Sequence, residues 1–281
     1  VSDPLQNLLP QQVVEQLRRE DSDRFLSALF APAEQRGHML ALYALDRDLK
    51  QIPYKVSEPM LGAIRFQWWR DTIGGIFQGE HAGHELVPAL SAAIDAGGLT
   101  PEGFHAWLDA REDEMTEQPF ADIEAMTTHA RRAEGTIMGF SMSILGVADT
   151  PSVSGAFGEA YGLIDVLKRC GPAARRRSAF LPMDRLEGKQ DAVFAGRLVP
   201  EAQQAFADVA ASARSRVKQA VASRETRPPK QALPALLHAG LVPGYARLFT
   251  RGDFDFLRSS PEIPAYRRQI SLMARAMRGR I

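Results

Sequence analysis

The chain has 281 residues, with 34 lysines and arginines balancing 34 aspartates and glutamates. Its overall field therefore gives nucleic acid no reason to bind, and that class of partner is excluded. Hydrophobic residues make up 45% of the chain, enough to bury a large core as one domain over residues 1–281. The only cysteine, Cys170, rules out an intramolecular disulfide and fits a reducing compartment. No run of about 18 apolar residues offers a spanning helix, and the first residues lack a secretory pattern. These features predict a cytoplasmic protein whose contact with a membrane is at most peripheral.

In chain order, residues Gln11–Leu29 read as one helix, with Val13, Val14 and Leu17 on its apolar side, stopping before Pro32. A second helix starts near Ala33. Its stripe of Leu42, Leu45, Leu49 and Ile52 is expected to end at Pro53, which removes a backbone donor. Ser57 is a candidate cap for the next helix and Pro59 suits its first turn. Leu61, Ile64 and Trp68 form a stripe there, with Trp69, Ile73 and Ile76 alongside. So wide an apolar face predicts a place in the middle of a helical bundle.

A loop over Gln78–Gly83 precedes a helix expected at His84–Ala96, ended by Gly97 and Gly98. Thr100, Pro101 and Glu102 then make a strong helix start, and Phe104, Trp107, Leu108 and Met115 give that helix its apolar side. One helix is predicted from Ile123 through RRAEGTIMGFSMSILGV and another over Ala156–Cys170. After FLPMDRL a looser segment reaches Pro200, followed by a helix over Glu201–Ser223 and the linker RPPK. The last helices are expected at Leu233–Thr250, kinked at Pro243, and at Pro264–Arg280. Alternating β-branched runs and Asn-Gly or Asp-Gly turns are missing, so the class is all-α with about ten helices.

Few residues announce chemistry. Asp46 and Asp48 face different ways, and Asp46 suits a solvated pair with Lys50 four residues on. Asp109, Glu112 and Asp113 share a helical face, which reads either as a solvated acidic surface or as a place for a hard cation. No zinc, P-loop, dinucleotide or nucleophile-elbow motif stands in a usable context. Gly135, Gly139 and Ser143 recur every four residues, and Gly158 with Gly162 repeats the step. Such grooves serve either close helix packing or the lining of a channel for an apolar tail. The last stretch, Tyr266–Ile281, sets arginines among Ile270, Leu272, Met273 and Met277. It reads as a basic amphipathic helix that packs on the bundle or lies on an anionic membrane face.

Three runs carry a family resemblance. YALDR followed by QWWRDTI resembles the first signature region of the squalene/phytoene synthase family, with Tyr43, Ala44, Leu45 and Arg47 matching. EGTIMGFSMSILGV resembles a later helix of that family through Gly135 and Thr136, with His129 where a tyrosine is usual. AYGLIDVLKRC stands at the second aspartate motif, and RRRSAFLP resembles the run after it through Phe180, Leu181 and Pro182. The resemblance spans about residues 20 to 265. It implies a class I isoprenoid synthase-like helical bundle with a central cavity.

Family members that join prenyl diphosphates use magnesium held by aspartates on two facing helices. Here Lys50, Gln51 and Tyr54 occupy the first set of positions, Asp165 stands at the asparagine of the second, and Arg169 stands at its first metal-binding aspartate. Cations there would repel Mg²⁺, so no cofactor is expected. This pattern is similar to the branch of the family without the metal-binding aspartates, which includes respiratory complex I assembly factors. That implies a non-catalytic binding or assembly protein at the inner-membrane face, with a respiratory-complex subunit or assembly protein as partner. If Tyr43, Arg47, Lys50, Arg169, Arg175, Arg176 and Arg177 edge one cavity, they would hold the head group of an anionic phospholipid or isoprenoid diphosphate without metal. Those arginines read equally as surface residues paired with acids. The competing reading of the whole chain is a working prenyl transferase with atypical magnesium ligands.

Overall fold

The structure is a computed structural model that describes residues 9–56, 58–80, 82–118, 120–148, 150–178, 180–251 and 254–281. Among them no strand occurs, and the all-α class expected from the sequence holds. The helix expected over Gln11–Leu29 is two, α1 (Gln11–Glu20) and α2 (Ser22–Ala28), because Asp21 between them leaves helical geometry at φ −134°. The turn lets α2 bury Asp23, Arg24, Ser27 and Ala28.

Helix α3 (Ala33–Lys55) runs through Pro53 rather than ending there. Pro53 falls in the last turn, where little helix remains for the missing donor to disrupt. Helix α4 (Pro59–Phe77) starts at its proline as expected; the capping role read for Ser57 lies outside the described residues. One expectation for α4 fails. Leu61, Ile64 and Trp68 are 44%, 59% and 42% exposed, and the face turned to the core is Gly62, Phe66, Trp69, Thr72, Ile73 and Ile76.

Helix α5 (Val87–Gly97) begins three residues later than expected, because His84 belongs to the preceding turn, where its Nδ1 accepts from the Leu86 N–H. It ends at Gly98, whose φ of 56° is left-handed and favours glycine. Thr100 caps α6 (Pro101–Glu112) by accepting from the Gly103 N–H. The helix expected from Ile123 onward is α7 (Ile123–Ala130) and α8 (Thr136–Ile144), joined by a π-helical turn over Arg131–Gly135.

Helix α9 (Pro151–Ala174) is buried on most of its sides and packs against α7, the π turn, α8 and α12 (Pro200–Ala222). The FLPMDRL run forms a short helix, α10 (Met183–Leu186), and a second one, α11 (Gln190–Phe194), occupies the segment read as loose. The kinked helix expected near the end is α13 (Leu233–Leu236) and α14 (Val242–Phe249), separated by a 3₁₀ turn. Helix α15 (Ala265–Arg278) lies on that turn and on α2. No helix among the described residues is long and apolar enough to cross a membrane.

Candidate functional site

The two signature helices α3 and α9 are tied together by side chains of opposite charge. Lys50 of α3 donates to Asp165 of α9 at 2.9 Å and pairs with Asp46 of its own helix at 2.8 Å. Arg169, four residues after Asp165, pairs with it at 3.1 Å and grips Glu114 with both terminal nitrogens. The solvated Asp46–Lys50 pair expected from spacing is therefore wrong in its setting, since Asp46 is fully buried. Oδ1 of Asp46 accepts from Arg111 at 2.8 Å and from the Trp107 indole at 3.1 Å, while Oδ2 accepts from Arg24 at 2.7 Å.

The network continues beyond Asp46. Arg24 reaches Glu134 at 3.3 Å, Arg111 reaches Glu114 at 2.9 Å, and His129 Nε2 lies 2.9 Å from Glu114. The π turn presents Glu134 at this point, which is the visible effect of the extra residue in the helix. Four cations, Arg24, Lys50, Arg111 and Arg169, thus meet four carboxylates, Asp46, Glu114, Glu134 and Asp165. Burial alone would raise the Asp46 carboxyl, but Arg111, Lys50 and Arg24 hold it well below the usual carboxylate range. Against the same burial, Arg169 and Arg111 hold Glu114 well down, and Lys50 and Arg169 do so for Asp165.

A cavity of about 380 Å³ opens beside this network, lined among others by Arg47, Lys50, Tyr54, Asp165, Lys168 and Arg169. Of the residues read from the sequence as head-group ligands, Arg47, Lys50 and Arg169 come together there, Arg47 also pairing with Asp48 and Gln16. Tyr43 lies in the core under the Arg24 guanidinium, with its hydroxyl 3.4 Å from Ser141. Arg175, Arg176 and Arg177 are exposed past the end of α9, where Arg176 donates to the Val56 carbonyl and Arg177 covers the Phe194 ring.

The small residues read as channel lining sit mostly in helix contacts. A Cβ on Gly158 would collide with the Gly135 backbone, and one on Gly162 would stand 2.6 Å from the Ala130 Cβ. Gly139 is buried and Ser143 half-buried on α8. Asp109 and Glu112 pair with Arg70, and Asp113 with Arg132. Among the described residues no group of three or more His, Cys, Asp or Glu could hold a metal. The donor set at the signature positions does not fit magnesium either, because lysine and arginine donate protons and offer no lone pair to a hard cation.

Sequence reasoning passed over Arg24, Arg111, Glu114 and Glu134. A signal existed for two of them. Arg111 stands seven residues after Phe104 and four after Trp107, on the apolar side of α6, and Glu134 lies four after Ala130 and three before Ile137. A charge on a buried stripe implies a buried partner.

A sequence profile described as squalene/phytoene synthase matches residues 17–269. The chain belongs to that family. Among curated members, the Homo sapiens protein named NADH dehydrogenase (ubiquinone) complex I, assembly factor 6 is 28% identical over 252 residues, which cover 88% of this chain and 75% of the human one. Among solved structures of the family fold, a dehydrosqualene synthase in complex with ligand superposes with a TM-score of 0.73 at 13% identity, covering 96% of this chain and 95% of its own. A squalene synthase from Alicyclobacillus acidocaldarius gives 0.61 at 16% identity, covering 98% of each chain. The isoprenoid synthase-like helical fold expected from the signature runs is therefore the fold observed.

Proposed function

We propose that this squalene/phytoene synthase family member is a non-catalytic protein that assists the assembly of respiratory complex I at the inner-membrane face. The observation that carries the reading is the Lys50–Asp165 bridge between α3 and α9. Direct ion pairing joins the two signature helices where catalysis in the family, as the resemblance implies it, needs carboxylates free to bind metal. The likeness to the human assembly factor supports the assembly role. So does the outer face of α15, where Tyr266, Ile270, Met273 and Met277 are exposed beside Arg267 and Arg278, a pattern suited to an anionic bilayer.

The purified chain, incubated with farnesyl diphosphate and Mg²⁺, is expected to release no pyrophosphate, and deleting it from its host is expected to lower assembled complex I on native gels. Pyrophosphate with a hydrocarbon product would restore the transferase reading. Unchanged complex I would remove the assembly role.

A second reading is favoured by the convergence of Arg47, Lys50 and Arg169 on one cavity: a diphosphate or phospholipid head group binds there without reaction. Each of these cations already has a carboxylate partner, so the incoming anion must displace one. A melting temperature raised by farnesyl diphosphate or acidic phospholipid in EDTA would support this reading, and no shift with either would end it.

A further inference from the structure

Helix α4 keeps four large apolar side chains in water. Met60, Leu61, Ile64 and Trp68 are 67%, 44%, 59% and 42% exposed, and their spacing sets them along one outer ridge of the helix. From Met60 to Trp68 the ridge is about 12 Å long, roughly two helical turns. Beside it runs a groove of about 920 Å³ between α4 and the end of α6. Pro59, Met60, Ala63 and Met115 give the groove its apolar lining. Gly62 helps to shape it, since a side chain at that position would collide with the Met115 thioether.

The rim of this groove is acidic. Asp109, Glu112, Asp113 and Glu117 line it, with Arg132 as the one cation of the lining and Arg70 bridging Asp109 and Glu112 from α4. Four carboxylates against two arginines leave the edge net negative. An anionic bilayer would be repelled here, in contrast to α15, which carries no acidic residue. An apolar ridge with a polar edge of one sign suits an amphipathic helix whose charges have the opposite sign. The thioethers of Met60 and Met115 can adapt to its side chains.

We propose that the α4 ridge and its acidic groove are a docking surface for a basic amphipathic helix of a partner protein. The apolar side of that helix covers Met60, Ile64 and Trp68, and its lysines or arginines meet Asp109, Asp113 and Glu117. The groove uses none of the network's own side chains, although Asp113 and Met115 flank Glu114 in the chain, and the proposal does not depend on the assembly reading.

The test is fluorescence anisotropy of two labelled synthetic helices against the full chain, one built of leucine and lysine, the other with glutamate replacing lysine. The lysine peptide is expected to bind at low salt, and the glutamate peptide at least about tenfold more weakly. Met60→Glu combined with Ile64→Glu should cost the lysine peptide at least about tenfold in affinity while leaving circular dichroism and melting unchanged, because both side chains are exposed. Asp113→Lys with Glu117→Lys should weaken it from the charged side. Absence of binding, or binding untouched by the α4 substitutions, overturns the proposal. So would a dimer in sedimentation, or attachment to phosphatidylglycerol vesicles, that Met60→Glu with Ile64→Glu abolishes, since the surface would then belong to a second copy or to lipid.

Discussion

Asp46 accepts from donors on three helices, Arg24 of α2, Lys50 of α3, and Trp107 with Arg111 of α6. Its charge is shared by three buried cations, and removing it leaves the four cations of the network facing three carboxylates, so that one positive charge is uncompensated in a largely buried site. Asp46→Asn keeps the shape and deletes the charge, and should cost about 3–5 kcal/mol in urea denaturation. Arg70 also holds two carboxylates, Asp109 and Glu112, but both retain solvent. Arg70→Ala should cost less than about 1 kcal/mol. Equal losses in the two variants would mean that burial is not what gives the Asp46 network its weight. The family position just before Arg47 thus bears a residue whose role here is to join helices, and nothing in its geometry leaves a lone pair for a metal.

Among the elements, α9 is the one whose packing depends most on missing side chains. Gly158 meets the Gly135 backbone of the π turn with no room for a Cβ, whereas a Cβ on Gly135 would stand 3.4 Å from Gly155 Cα, an ordinary contact. Gly158→Ala must push α9 off the π turn and should cost roughly 1–3 kcal/mol or more. Gly135→Ala should be near neutral, and thermal melting of the two variants separates them. The small-residue step every four residues was legible in the sequence, as were the starts of α4 and α6, because glycine, proline and capping residues act locally. The π turn was not, since one inserted residue leaves no compositional mark. The side of α4 was misjudged for a related reason: Leu61, Ile64 and Trp68 look like core by spacing, and only the three-dimensional neighbours show that Phe66, Trp69 and Ile73 take that place. At the signature positions the charge reversal at Lys50 and Arg169 was readable, but its partners are split between distant segments (Asp165 for Lys50, Glu114 for Arg169) and the preceding turn of α9 (Asp165 for Arg169), and spacing alone could not choose between them.

For the molecule as a whole, the buried ions link α2, α3, α6, the π turn and α9 into one unit, and this gives stability a defined response to acid. Asp46, Glu114, Glu134 and Asp165 all lie below their ordinary values of 3.8 or 4.5, because buried cations outweigh the desolvation that would raise them. Asp23, held down by Lys168 and Arg268 against the same burial, joins them. A depressed carboxyl stabilises the folded state above its unfolded value, and the gain is lost as pH falls, because the unfolded chain then takes up protons that the folded chain refuses. Urea midpoints should therefore be level between pH 7 and about 5. Below about pH 4.5 they should fall, each depressed carboxyl contributing about 1.4 kcal/mol per pH unit while its folded form stays ionised. Surface pairs would give a shallower fall that added salt largely erases. The buried set is screened far less, so the drop should persist in high sodium chloride. A decline centred above pH 5, or one that salt abolishes, would show that the ions on which α3 and α9 meet are not the ones that set the stability of the bundle.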